Sequence, residues 1–168
     1  MPYISAPAPN SENIFFDLIL VAEFWNSPPV VDIFIDGEFI EQHTVDKNNY
    51  HIRFKKVMSF GSTHCLELRR SGKTDNETRF LPDGNIETQM LHIKTVKIDN
   101  INLRNLVWHM STFQPTYPEP WASEQRAAGI ELENNIQGEM YFGHNGVWRF
   151  EFTSPIYEFL VNWNRGNK

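Results

Sequence analysis

The sequence predicts an all-β protein, an antiparallel β-sandwich carrying a C-terminal β-hairpin and short helices. Three observations carry this. Alternating apolar and polar stretches recur along the chain, turn signals separate them at intervals of about 8 to 15 residues, and helical patterning is confined to short pieces near the C-terminus. The 168 residues are 40% hydrophobic and include 13 Phe, 5 Tyr and 5 Trp, enough side-chain area for one dense core.

Taken in order, Phe16, Leu18, Leu20, Ala22 and Phe24 share one parity while Phe15, Ile19 and Val21 share the other with Asp17 and Glu23. That reads as a strand largely buried on both faces. After Ser27-Pro28-Pro29, the run Val30 to Ile35 meets Asp36-Gly37, a dipeptide suited to the positive dihedrals of a two-residue hairpin turn, and Glu38 to Val45 returns. Tyr50, Ile52 and Phe54 alternate with His51, Arg53 and Lys55, and His64, Leu66 and Leu68 alternate with Cys65, Glu67 and Arg69. Lys73 to Glu87 is a mainly polar stretch and predicts a long loop. Leu91 and Ile93 sit on one parity and Val96 and Ile98 on the other, which places a bulge near Lys94 or Thr95. Leu106 to Phe113 reads as a further strand, with Trp108 in the core.

From Gln114 the character changes. Pro115, Pro118 and Pro120 bracket Tyr117 and Trp121 in a loop, and Ala122 to Ala128 suits one or two helical turns. Ile136 to Phe142 and Val147 to Thr153 flank Gly143-His144-Asn145-Gly146, which reads as a hairpin whose second strand turns Trp148, Phe150 and Phe152 to one side. Ser154-Pro155 reads as an N-cap and first-turn proline opening a terminal helix. The chain thus divides into an extended arm over residues 1–12, a sandwich over 13–113, and a C-terminal extension over 114–168 packed upon it.

A net charge of −6 removes any general attraction to nucleic acid or anionic lipid. No apolar run spans a bilayer, and the N-terminus lacks the basic and apolar regions of a secretory signal, so no membrane partner and no export by that route are expected. The single Cys65 excludes an intrachain disulfide and a cysteine-rich zinc site. It lies within an alternating strand, as a structural thiol would. The six histidines are scattered singly, without the close spacing of a metal hydrolase. Glu23, Asp32 and Glu67 are carboxylates a glycosidase could use, but nothing in their spacing marks a pair, and no enzyme is expected.

Two binding features remain. The loop contains Asp75, Glu77, Asp83 and Glu87, oxygen donors of the kind that hold calcium, although an Asp-x-Asp-x-Asp-Gly series is absent; the alternatives are a calcium loop and a solvated loop, with no cofactor the default. Trp25, Tyr117, Trp121 and Trp163 lie in or beside loops and termini, where flat rings serve glycans or protein partners. The alternative is that they plug the core.

The run Pro29 to Ile40, then Tyr50-His51-Ile52-Arg53-Phe54, then Gly61 to Leu68, resembles the calcium-dependent xylan-binding carbohydrate modules over about residues 14–112. That resemblance implies a jelly-roll sandwich and glycan contact. In the position of that group's calcium segment this chain has Glu87-Thr88-Gln89-Met90-Leu91, keeping the acid and the leucine without the Arg-Asn pair. Tyr117 to Trp121, Gly143 to Trp148 and Ser154 to Tyr157 resemble small proteins of tailed bacteriophages over about residues 106–168. This second resemblance implies a non-catalytic virion component, such as a capsid decoration, fibre or baseplate-associated protein, assembled in the host cytoplasm. Its partners would be other virion proteins, copies of itself, and a glycan. A freestanding carbohydrate-binding protein is the alternative, and a hydrolase the third reading.

Overall fold

A computed structural model describes residues 10–103 and 105–166. In chain order its elements are β1 (Ser11–Glu23), β2 (Val30–Ile35), β3 (Glu38–Thr44), β4 (Tyr50–Ser59), β5 (Thr63–Ser71), a 3-10 turn (Asp75–Glu77), β6 (Arg79–Phe80), β7 (Ile86–Glu87), β8 (Met90–Ile98) and β9 (Ile101–Asn102). There follow α1 (Asn105–Met110), β10 (Ser111–Thr116), α2 (Trp121–Ala127), β11 (Ile136–Gln137), β12 (Tyr141–Phe142), β13 (Asn145–Thr153) and α3 (Ile156–Gly166).

Two antiparallel sheets face each other. One runs β12-β8-β1-β4 with β9 beside β8, and the other β11-β10-β13-β5-β2-β3. The chain passes repeatedly from one sheet to the other, in the jelly-roll manner. The even residues of β1, from Ile14 to Ala22, meet Ile33, Leu66, Leu68, Trp148, Phe150 and Phe152 in one continuous core. Each large side chain so buried contributes about 2 kcal/mol. Rings bridge the layers: Phe113 of β10 stacks on Phe142 of β12 with centroids 4.2 Å apart, and Phe16 meets Phe152 at 6.0 Å.

Several local signals act as the sequence predicts. Asp36 and Gly37 both take positive φ (51° and 80°) and close the β2–β3 hairpin. Ile19 pairs with Thr95 and Leu20 with Ile93, so Lys94 is the bulged residue that lets Ile93 and Val96 both face inward.

Elsewhere tertiary pairing overrides the pattern. β1 buries only even residues, Ile14 to Ala22; its odd ones are half-covered from Phe15 to Val21, and Asn13 and Glu23 are exposed. Leu106 to Phe113 is not one strand, because Leu106 and Val107 are buried together as the inner face of α1, with Leu103 buried just before it. Trp108 consequently points outward, 52% exposed rather than in the core. Gly143 to Gly146 close no hairpin: Tyr141 and Phe142 pair with β8 in the first sheet, whereas β13 pairs with β10 and β5 in the second. Burying Phe142 against Phe113 across the core fixes that switch. The boundary drawn at residue 113 falls inside β10, and β13 lies in the middle of its sheet, so residues 114–168 complete the sandwich instead of adding to it. Ser154 does not cap α3; its hydroxyl donates to Glu12 Oε1 (2.6 Å), and that same carboxylate accepts the Ile156 N–H (2.7 Å). Of the arm expected over residues 1–12, residues 1–9 lie outside the described residues, and Ser11 and Glu12 already pair with β4. No helix among the described residues is long and apolar enough to cross a membrane.

Candidate functional site

The polar stretch after β5 is an ordered excursion held at its base by one acid. Glu77 is 3% exposed and accepts hydrogen bonds from the Ser27 N–H (3.1 Å), the Ser27 hydroxyl (2.5 Å) and the Asn26 amide (3.0 Å). Burial alone would raise its pKa, but these donors outweigh burial and hold the carboxyl below its usual range. The Trp25 indole N–H donates to the Glu77 carbonyl (2.8 Å), and the Arg79 guanidinium lies 4.3 Å over the Trp25 ring. Beyond this base β6 and β7 form a small hairpin in which Arg79 pairs with Glu87 (2.5 Å) and Asp83 accepts the Asn85 N–H (2.9 Å). Phe80 and Ile86 are left 77% and 57% exposed on it.

Facing the hairpin is a cluster of rings. Tyr117 lies 6.0 Å from Trp121 and 5.0 Å from His144, and Trp121 lies 5.2 Å from His144, between ring centroids. Pro118 and Pro120 bring the chain into α2 at Trp121, which stays 36% exposed. Lys73 and Asn145 join the two walls. The Asn145 amide accepts the Lys73 N–H (3.1 Å) and donates to the Lys73 carbonyl (2.9 Å), while Lys73 Nζ donates to the Gly143 carbonyl. A cleft of about 560 Å³ lies between the walls, with Phe80, Ile86, Trp121, His144, Lys73 and Asn145 among its lining. Burial, then the charge of Arg70, pushes Lys73 down to about 8; burial, then Lys73 and Arg70, lowers His144.

Of the four aromatics the sequence singles out, the fold brings Tyr117 and Trp121 together, with Trp121 on the cleft lining and Tyr117 packed against it. Trp25 stands behind the hairpin and braces it. Trp163 belongs to a separate apolar groove of about 410 Å³ lined by Leu103, Leu106, Tyr157 and Leu160. Lys73, Phe80, Ile86, His144 and Asn145 are the site residues that sequence reasoning misses. A signal for two of them exists, since Phe80 and Ile86 flank the turn dipeptide Asp83-Gly84.

The four acids offered as calcium ligands do not converge. Glu77 serves Ser27 and Asn26, Glu87 serves Arg79, Asp83 serves its own turn, and Asp75 stands exposed on the cleft lining. Among the described residues no three His, Cys, Asp or Glu side chains form a group able to hold a metal ion. A calcium ion takes about six to eight oxygens, so these residues do not fit one.

The carboxylates considered for hydrolysis are also occupied separately. Glu67 binds Arg69 and Arg149, Glu23 accepts from Tyr141, and Asp32 accepts from Gln42. Cys65 is half-buried, and burial, with Glu67 and Glu151 nearby, pushes its thiol up to about 11 from an ordinary 9.0. Such a shift leaves about 100-fold less thiolate at neutral pH. Alkylation of native Cys65 by iodoacetamide, followed by mass spectrometry, is therefore expected to run about 100-fold slower than in the unfolded chain, and equal rates would contradict this.

No protein family and no curated protein matches the chain. Two solved structures are similar to it. "vCBM60 in complex with galactobiose" is 8% identical, with a TM-score of 0.48, over 81% of this chain and 96% of that one. A second structure of vCBM60, whose title concerns two families of calcium-dependent carbohydrate binding modules, is 7% identical, with a TM-score of 0.48, over 82% and 89%. At that level neither a ligand nor a site carries over to this chain.

Proposed function

We propose that this is a non-catalytic β-sandwich binding protein that holds a saccharide in the cleft between the β6–β7 hairpin and the Trp121–His144 wall. The observation that carries the reading is the pairing of exposed ring faces with fixed polar groups. Sugar rings place their CH faces on flat aromatic surfaces and their hydroxyls on donors and acceptors at the rim. Phe80 and Trp121 supply the first, while Lys73 and Asn145, locked to each other through two hydrogen bonds, supply the second. The separate engagement of Glu23, Asp32 and Glu67 supports binding over hydrolysis.

The test is calorimetric titration with a panel of oligosaccharides, repeated on Trp121→Ala. Trp121 lies at the start of a short exposed helix, so its truncation spares the core. The expected result is a Kd raised at least about tenfold, equivalent to about 1.4 kcal/mol, with the melting temperature nearly unchanged. Unaltered affinity in the variant, or a panel without binders, contradicts the reading.

A virion setting is the second reading. It is favoured by one observation: the segments Tyr117 to Trp121 and Gly143 to Trp148, which resemble tailed-phage proteins, build one wall of this cleft. A particle-bound protein would present the same cleft to a surface glycan. Mass spectrometry of purified particles tests it, and absence of the protein from them removes the setting without touching saccharide binding.

A further inference from the structure

We propose that the cleft is selective for acidic saccharides, a carboxylate or sulfate on the sugar seating at Lys73 in front of the buried guanidinium of Arg70; this rests on the saccharide reading above. Arg70, on the last turn of pleat in β5, is 3% exposed, and only its Nη2 is used, donating to the Gln89 carbonyl (2.9 Å) and to Gln89 Oε1 (3.0 Å). Its Nε and Nη1 are buried with no hydrogen-bond partner. A buried cation ordinarily gains a carboxylate to offset its desolvation. Among the described residues Arg70 has none, and Lys73 has none either.

These two cations are neighbours across one strand end. Arg70 pairs in register with Gly146 of β13, and Lys73, three residues further on, is tied by both main-chain groups to the adjacent Asn145. Lys73 opens onto the cleft beside His144, and Arg70 lies close enough to depress the proton affinity of both. The carboxylate on the cleft lining is Asp75, which is exposed. An oxyanion on the ligand supplies the missing charge in a place where water screens it poorly. Lys73 makes the direct contact, and Arg70 is a positioning charge behind it.

The test titrates the full chain with oligosaccharides of equal length: an oligogalacturonate, a sulfated oligosaccharide and neutral xylo-oligosaccharide, each at low and high salt. At least one acidic ligand is expected to bind about tenfold or more tighter than the neutral one, with the advantage shrinking at high salt. Binding of the galacturonate alone assigns the site to carboxylate, of the sulfated ligand alone to sulfate ester, and of both to either oxyanion. Lys73→Met is expected to remove the preference, Lys73→Arg to restore it, and Lys55→Met, the same charge change on exposed β4, to leave it intact. Should Lys73→Met fail to fold, the salt dependence of the native protein still decides. Equal affinity for neutral and acidic ligands, or a preference indifferent to salt, overturns acidic selectivity while saccharide binding stands. If no ligand of any charge binds, both fall.

Discussion

Replacing Gly146 by alanine is expected to destabilise the protein by more than about 4 kcal/mol, beyond the range of ordinary point substitutions. A Cβ at this position would stand 2.4 Å from the Gln114 carbonyl oxygen, 2.8 Å from Phe113 Cζ and 2.9 Å from Pro115 Cα. Two of those three atoms belong to the backbone of β10, whose register against β13 pairs Pro115 with Gly146. A side chain could rotate away, but a paired strand cannot without breaking the ladder. Phe113 in turn stacks on Phe142, so a shift of β10 propagates into the aromatic bridge between the sheets. Urea unfolding of the purified variant measures the loss, and an unfolding free energy within about 1 kcal/mol of the native protein's contradicts this packing.

The second large effect is expected at Glu77. Glu77→Ala removes the acceptor of three hydrogen bonds and leaves the Ser27 N–H, the Ser27 hydroxyl and the Asn26 amide without their partner. Asn26 is exposed and can turn to water, so the cost falls on the half-buried Ser27 donors, and at about 1–3 kcal/mol for each unmet donor a total loss of about 3 kcal/mol is expected. The sign of the pH dependence follows from the depressed folded-state pKa. A carboxyl that is more acidic in the folded chain stabilises it fully above the ordinary carboxylate value, and that contribution is lost as pH falls through the lower, folded value. Thermal melts in neutral and acid buffer should show this loss in the native protein and a flatter profile in Glu77→Gln. Equal acid sensitivity in the two would contradict the assignment. Glu77→Ala keeps the main-chain carbonyl that accepts the Trp25 indole, but it unties the base on which Trp25 and Arg79 of the hairpin rest, so it should weaken saccharide binding as well.

What the sequence discloses, and what it hides, divides along the range of the interactions involved. Asp36-Gly37 dictates its turn through dihedral preference alone, and the parity change around Lys94 betrays the bulge because both are local. Trp148, Phe150 and Phe152 are readable as core for the same reason. The helix at Asn105–Met110 is hidden because six residues offer two buried positions, and Leu106 to Phe113 satisfies a strand pattern equally well. Phe142 illustrates the harder case. Its partner strand is decided by Phe113 and Leu91, distant in sequence, and an Asn-Gly dipeptide nearby gives a hairpin signal that the core overrules.

The site shows the same division. Tyr117 and Trp121 are conspicuous as aromatics among prolines, and they do pack together, with Trp121 on the cleft lining. Lys73 and Phe80 acquire meaning only once the hairpin folds back toward α2. Glu77 is conspicuous for the wrong reason: its acidity suggests a metal ligand, whereas the chain uses both oxygens to tie down Asn26 and Ser27.

Saccharide binding in this cleft is tested most directly by following backbone and indole N–H resonances in a nitrogen-15 NMR titration with the tightest oligosaccharide of the panel. The shifts are predicted to concentrate at the Trp121 indole and at the amides of Lys73, Phe80, His144 and Asn145. Shifts confined instead to the groove of Leu106, Tyr157 and Trp163, or no shifts at saturating ligand, would contradict it.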